Sequence, residues 1–330
     1  MKILFAIQGT GNGHISRARE IIPYLQQHGE VDILISGTQA DVSLTQPIKF
    51  KFHGFSFVFG KNGGVDHWET LKIIRLGQFW KDMNSIPLGD YNLIVNDFEP
   101  LTAWACKLKK INSVSLSHQA SFVSDKTPRP AKGGPMYAEW ILNYYAPTSH
   151  HIGFHFKKYD DFIHTPVIRS QIREMGTSNL GHYTVYLPAV DDKKLVKYLH
   201  ELPDTKWEVF SKHQKTPYQY ANVKVKTISN EAFNLSLASC EGLLTGGGFE
   251  GPAEALFLEK KLLMIPMTNQ YEQECNAEAA RLMGVTVVAK IDENFSDKLK
   301  LWVANKNRVT VDFGNETEKI VADMVSQYAR

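Results

Sequence analysis

Short, unbroken apolar runs alternate along the chain with segments whose apolar residues recur at three- and four-residue spacing. The first run, Ile3-Leu4-Phe5-Ala6-Ile7-Gln8, stops at Gly9. It is too short for a signal-peptide core and reads as a buried first strand. Residues 15–27 follow, with Ile15, Ala18, Ile22 and Leu25 close to helical spacing, which predicts a helix. Residues 31–35, 93–95 and 114–116 read as further strands, with a helix over 101–108 between the last two. Continuous apolar strands separated by helices are the rhythm of parallel β-α-β sheets. The second half repeats it. Strands are predicted at 184–187, 207–210, 223–228, 242–245 and 262–265, and helices at 192–201, 231–239, 251–257, 272–283 and 316–328. The expected fold class is α/β, with two Rossmann-like halves facing each other across a ligand cleft.

Three stretches break the rhythm. Phe50, Phe52, Phe55, Phe57 and Phe59 crowd together, which suggests a hairpin beside the main sheet, either as core and edge aromatics or as an apolar surface facing an acceptor. Residues 121–135 are polar and rich in Pro, Gly and Lys, the composition of a surface loop long enough to be functional. Residues 150–181 read as irregular, and the domain boundary is placed within 155–170. His150, His151 and His155 fall there beside Asp160 and Asp161; hinge surface explains them better than a metal site.

Composition narrows this only moderately. A length of 330 residues favours two domains. With 43% hydrophobic and 22% charged residues, disorder is excluded as the main state. Lys plus Arg at 37 against Asp plus Glu at 35 leaves a net charge of +2, too balanced for a protein held on nucleic acid by charge alone. The three cysteines, Cys106, Cys240 and Cys275, show no C-x-x-C spacing. That argues against a disulfide framework or a cysteine-rich zinc site and for the reducing cytoplasm. No apolar run is long enough to span a membrane. Lys107, Lys109 and Lys110, and Lys193, Lys194 and Lys197, form short basic runs. They read as solvated helix faces, with peripheral contact to an anionic membrane surface as the alternative.

The candidate chemistry lies in two glycine-rich turns. Gly9-Thr10-Gly11-Asn12-Gly13-His14 joins the first strand to the first helix. It is not a dinucleotide fingerprint: His14 stands where the third glycine belongs, and the second strand ends Ile35-Ser36-Gly37 without an acidic residue. No Lys-Ser or Lys-Thr follows the glycines, so it is not a Walker loop either. The backbone of Gly11, Asn12 and Gly13 at a helix start suits a ligand anion. His14 there is either a general base or a capping and packing residue. Asp97 ends the strand Leu93-Ile94-Val95-Asn96-Asp97 on the same sheet edge. It is either the partner that orients His14 or the cap of the next helix.

The second turn is the stronger signal: Thr245-Gly246-Gly247-Gly248-Phe249-Glu250-Gly251-Pro252-Ala253-Glu254 runs from a buried strand into a helix. Glu254 lies about one turn inside. The strand Leu263-Met264-Ile265-Pro266 leads on to Gln270-Tyr271-Glu272-Gln273-Glu274-Cys275-Asn276-Ala277. The bland reading is a tight strand–helix connection with packing glycines, but three in a row are costly in backbone entropy.

Residues 246–277 resemble the donor signature of nucleotide-sugar glycosyltransferases of the GT-B fold, especially the UDP-glycosyltransferases and the lipid-linked N-acetylglucosaminyltransferase of peptidoglycan synthesis. Gly13-His14 is similar to the Gly-His element of these families, and Thr165-Pro166-Val167-Ile168-Arg169 to their Pro-Val-Arg linker. The resemblance implies an acceptor-binding domain over 1–165, a nucleotide-sugar domain over 166–312 and a last helix, 313–330, packed back on the first. It implies His14 as base assisted by Asp97, Gly246, Gly247 and Gly248 facing the diphosphate, and Glu254 on the ribose. Glu272 and Gln273 would hold the sugar, and Ile228 and Ser229 the base of the nucleotide. The implied reaction is an inverting, metal-independent transfer from a nucleotide diphosphate sugar, UDP-linked by analogy, to a hydroxyl acceptor, the nucleotide sugar being a co-substrate and no cofactor being needed. Two departures stand out: Gly246 replaces a phosphate-contacting His, and Leu187-Pro188-Ala189-Val190-Asp191 replaces a Gly-Ser-rich loop with one ending in an acid. A nucleotide-sugar epimerase and a nucleotide-sugar-binding protein without catalysis are the rival readings.

Overall fold

The computed structural model describes residues 1–37, 44–54 and 76–330. Its first half places β1 (Lys2–Gln8), α1 (Asn12–Gln26), β2 (Glu30–Ser36), β3 (Phe50–Phe52), α2 (Leu76–Ser85), β4 (Leu93–Asp97), α3 (Pro100–Lys109), β5 (Val114–Ser117), α4 (Met136–Tyr144), β6 (His150–Phe154) and β7 (Ile163–His164). The strands form one parallel sheet in the order β3-β2-β1-β4-β5-β6-β7. After α5 (Ser170–Arg173) the second half follows with β8 (His182–Tyr186), α6 (Asp192–Leu199), β9 (Lys206–Ser211), β10 (Tyr218–Tyr220), β11 (Val223–Thr227), α7 (Asn230–Ser239), β12 (Gly242–Gly246), α8 (Glu250–Phe257), β13 (Lys261–Ile265), α9 (Tyr271–Leu282), β14 (Thr286–Val287), α10 (Phe295–Ala304) and α11 (Thr317–Tyr328). Its sheet runs β10-β11-β9-β8-β12-β13-β14, with only β10 antiparallel.

In both sheets the chain first builds to one side of its starting strand and then returns to the other. The reversals fall between β1 and β4 and between β8 and β12, so a crevice opens at the carboxyl ends of those strands. Both glycine turns lie there.

Apolar alternation explains the layers. Ile15, Ala18, Ile21, Ile22 and Leu25 of α1 are buried in a core that also takes in α8, α9 and α11. Ile320, Val321 and Met324 bring α11 into it, and the Tyr328 ring stacks on His150 with centroids 4.4 Å apart. The last helix of the chain is therefore packed on the first sheet's layer.

Several local expectations are corrected. The stretch 150–181 is not irregular: β6 and β7 extend the first sheet. They escape the sequence pattern because β6 opens on two half-buried histidines and β7 has two residues. His155 is buried rather than hinge surface, and its Nε2 has no hydrogen-bond partner. The loop after β5 begins as a buried 3-10 turn, Gln119–Val123. Its polar residues turn onto its own backbone: Thr127 donates to the Ser121 carbonyl, and Arg129 to those of Phe122 and Thr127. Asp191, the acid that ends the loop after β8, caps α6 through the N–H groups of Lys193 and Lys194. β3 pairs in parallel with β2, and the rest of the expected hairpin, with Phe55, Phe57 and Phe59, lies outside the described residues. Among those described, no helix is long and apolar enough to cross a membrane.

Met324 is 1% exposed, so Met324→Ala is expected to cost about 2–5 kcal/mol, read as a lower urea midpoint at unchanged slope. Met136 is 89% exposed, and Met136→Ala should stay within about 0.5 kcal/mol. Equal stability of the two variants would mean that α11 contributes nothing to the core.

Candidate functional site

At the carboxyl end of β1 the chain must turn sharply into α1. Gly11 makes that turn at φ 89° and ψ 153°, a region open to glycine alone. No side chain caps α1. His14 is placed in the first turn, facing the end of β4. There Asp97 is fully buried, and its Oδ1 accepts a hydrogen bond from His14 Nδ1 at 2.8 Å. A carboxylate only accepts, so Nδ1 is the donor in this bond, and in the neutral imidazole Nε2 is the acceptor.

Phe98 explains why Asp97 faces α1 instead of capping α3. Its backbone is left-handed, φ 54°, a strained conformation for an aromatic residue, worth about 1–3 kcal/mol. Asn96 braces the turn, donating to the Glu99 carbonyl at 2.8 Å and accepting from the Glu99 N–H at 2.9 Å. Glu99 thereby becomes the cap of α3, accepting from Leu101 and Thr102 N–H at 2.7 Å each, and Asp97 is freed for His14.

Arg17, three residues after His14, was not anticipated. It is 3% exposed. Nη2 donates to Asp97 Oδ1 at 2.6 Å and Nε to Oδ2 at 3.1 Å, while Nη1 donates to Glu250 of the second half. Nη2 also lies 3.1 Å from His14 Nδ1. Burial pushes the Asp97 carboxyl up, but Arg17 and His14 outweigh it and hold Asp97 below the usual carboxylate range. Burial works against the Arg17 cation, yet Asp97 and Glu250 keep it charged. Glu250 has the opposite balance: burial pushes its carboxyl up to about 7, with Glu254 and Asp97 adding to the rise and Arg17 opposing it. The sequence signal for this cluster was the i, i+3 spacing of His14 and Arg17, which puts both on one helix face.

The second glycine turn is held from inside the protein. A Cβ on Gly247 would stand 2.7 Å from the Cβ and carbonyl oxygen of Gln273, so only glycine fits against α9. Gln273 Oε1 accepts from the N–H groups of Gly247 at 3.1 Å and Met267 at 3.0 Å, while Asn276 Nδ2 donates to the Gly247 carbonyl at 3.1 Å. Around Gly248 a Cβ would meet nothing within 4 Å, so that side of the turn is open. Phe249 then reaches into the first half, its ring stacked on His118 with centroids 3.8 Å apart. Like α1, α8 begins without a side-chain cap.

The remaining expected residues are spread around this seam. Glu254 is buried, and Arg169 of the linker takes both its oxygens, Nη2 to Oε2 at 2.7 Å. Glu272 accepts from Gln119 of the first half at 3.2 Å. Ile228 is 46% exposed at the end of β11, and Ser229 caps α7 through the Ala232 N–H. Among the described residues no group of three or more His, Cys, Asp or Glu side chains is placed to hold a metal ion.

The family model described as glycosyl transferase family 1 matches residues 1–305. No curated protein matches the sequence. Solved structures share the fold over nearly the whole chain. Acinetobacter baumannii MurG is 11% identical, covering 99% of this chain and 98% of its own at a TM-score of 0.57. LpCGTa in complex with UDP is 12% identical, with 99% of each chain covered and a TM-score of 0.57. Arabidopsis thaliana UGT89C1 complexed with quercetin is 12% identical, covering 98% and 93% at 0.58.

Glu250 binds its proton more tightly folded than unfolded. Its ionisation therefore lowers stability as pH rises from 4.5 to about 7, by an amount that is constant above and absent below. Glu250→Gln is expected to raise the thermal midpoint relative to the parent at about pH 8 and to leave it nearly unchanged at about pH 4. The same shift at both values would show that the carboxyl is not held high.

Proposed function

The chain belongs to glycosyl transferase family 1 and has the GT-B fold, and from this premise we propose that it moves a sugar from a uridine diphosphate sugar to a hydroxyl acceptor with inversion at the anomeric carbon. The observation that carries the reading is the hydrogen bond between part-buried His14 and fully buried Asp97 on the crevice edge of the first sheet, set against the glycine turn of the second. Asp97 fixes the tautomer, so His14 Nε2 takes the acceptor's proton as its oxygen attacks. The anomeric carbon–oxygen bond breaks and its electron pair leaves on the diphosphate. The uncapped helix starts of α1 and α8 offer N–H groups and positive dipole ends to that charge, which removes the need for a metal. The uridine assignment leans on fold neighbours such as LpCGTa, solved with UDP.

Glu272, at the start of α9, would hold sugar hydroxyls. Gln273 already spends its amide oxygen on Gly247 and Met267, so its part is to shape the turn. Glu254 keeps a second lone pair on each oxygen, so a ribose diol joins Arg169 there instead of displacing it. Ile228 and Ser229 lie on the rim where the nucleotide base would rest.

A thermal-shift screen of nucleotide diphosphates and their sugars should show selective stabilisation by uridine species, about 2.7 kcal/mol at a hundredfold excess over Kd. No stabilisation by any of them would remove the nucleotide-sugar reading. His14→Ala is expected to cut turnover by about 10²–10⁴ while leaving nucleotide-sugar affinity nearly intact. Unchanged turnover, or a product of retained configuration, would overturn the role given to His14.

A further inference from the structure

Among the described residues at this seam, Arg17 and Arg169 are already committed to carboxylates, Arg17 to Asp97 and Glu250, and Arg169 to Glu254. Asp97, Glu250, Glu254 and Glu272 are the acids set around the same seam. A nucleotide sugar carries two negative charges on its diphosphate, so its arrival would make an already acidic crevice strongly anionic. One of these carboxylates can offset part of that charge by taking a proton.

Glu250 is placed to do so. It is the first residue of α8, directly after Phe249 and the three glycines, where the N–H groups of the turn and helix open. It has little freedom to swing away. Phe249 is anchored on His118 and packs against Phe156 with centroids 5.1 Å apart. On the other side Glu250 abuts the first glycine turn, where a Cβ on Gly13 would come within 3.2 Å of Glu250 Cγ. Among the described residues, the charged groups facing it are Arg17 and His14 from α1, Asp97 from β4, Glu254 one turn along its own helix, and Arg169 from the linker.

We propose that Glu250 is a nucleotide-sugar-binding residue that works as the neutral acid: as the diphosphate enters, the carboxylate takes one proton from solvent and donates its O–H to a phosphate oxygen. The inference rests on the nucleotide-sugar reading above and extends it. No covalent bond is made, and the proton returns to solvent when the diphosphate leaves. The diphosphate replaces Glu250 as the anion beside Arg17, so the Asp97–Arg17 pair that orients His14 keeps its charge balance. Burial already pushes the carboxyl up to about 7 before ligand arrives, so the added proton costs little at neutral pH and progressively more above it.

Titration calorimetry of the full chain with UDP-glucose, UDP-N-acetylglucosamine, dTDP-glucose and GDP-mannose, in buffers of different ionisation heat, tests this. The diphosphate of a nucleotide sugar is a diester that does not titrate between about pH 6 and 9, so proton exchange reports on the protein. The parent is expected to take up close to one proton at about pH 8.5, with Kd weakening by up to about tenfold per pH unit above neutrality. Glu250→Gln should bind the same compound without proton uptake and with a nearly flat Kd. Binding by the parent without proton uptake overturns the proposal and leaves the nucleotide-sugar reading standing. Proton uptake that persists in Glu250→Gln assigns the proton to another group and also overturns it. Failure of all four compounds to bind removes the nucleotide-sugar reading and this inference with it.

Discussion

A single buried guanidinium sets the terms for the centre of this molecule. Arg17 leaves water inside the layer of α1 and must find carboxylates for its N–H fork, because an unpaired cation at that depth would cost several kcal/mol. It finds Asp97 at the end of β4 and Glu250 at the start of α8. Those partners belong to different halves of the chain. Satisfying one side chain therefore fixes where the first sheet ends, where α1 begins and how the second half abuts the first. His14, one helical turn before Arg17, is held by the same carboxylate.

The rest of the seam carries the constraint outward. Phe249 lies on His118, Asn276 and Gln273 hold the backbone of Gly247, and Gln119 pins Glu272. The second glycine turn is thus only partly a ligand loop. Gly247 is glycine because α9 passes too close for a side chain, whereas Gly248 faces open space. A row of glycines that reads as one motif divides into packing and exposure once the neighbouring helix is in place.

Arg169 and Glu254 show the same division. Both were legible as family features, one in the linker and one on the helix, yet nothing in the sequence joins them. In the fold the Arg169 guanidinium takes the Glu254 carboxylate together with Asn230 and Asn234. A residue expected to meet a sugar is first of all half of a buried ion pair, and any ligand it binds has to share it.

The alternation of apolar runs and helical spacing, with glycines at the first strand–helix turn of the first half and the third of the second, was enough to determine two parallel α/β layers and the sheet edge that carries the chemistry. Those signals are local: strand and helix periodicities are set by neighbours a few residues apart. The choice between Asp97 and Glu99 as the cap of α3 was not local. It depends on the left-handed turn at Phe98 and on Asn96 bracing it. β6 and β7 were missed because they are too short to show a period, and the inward-turned loop after β5 because its polar residues are satisfied by its own carbonyls. Arg17 and Glu250 stand 233 positions apart. No spacing along the chain relates them; only packing one half against the other, in a place too dry for the Arg17 cation to stand alone, decided that they meet.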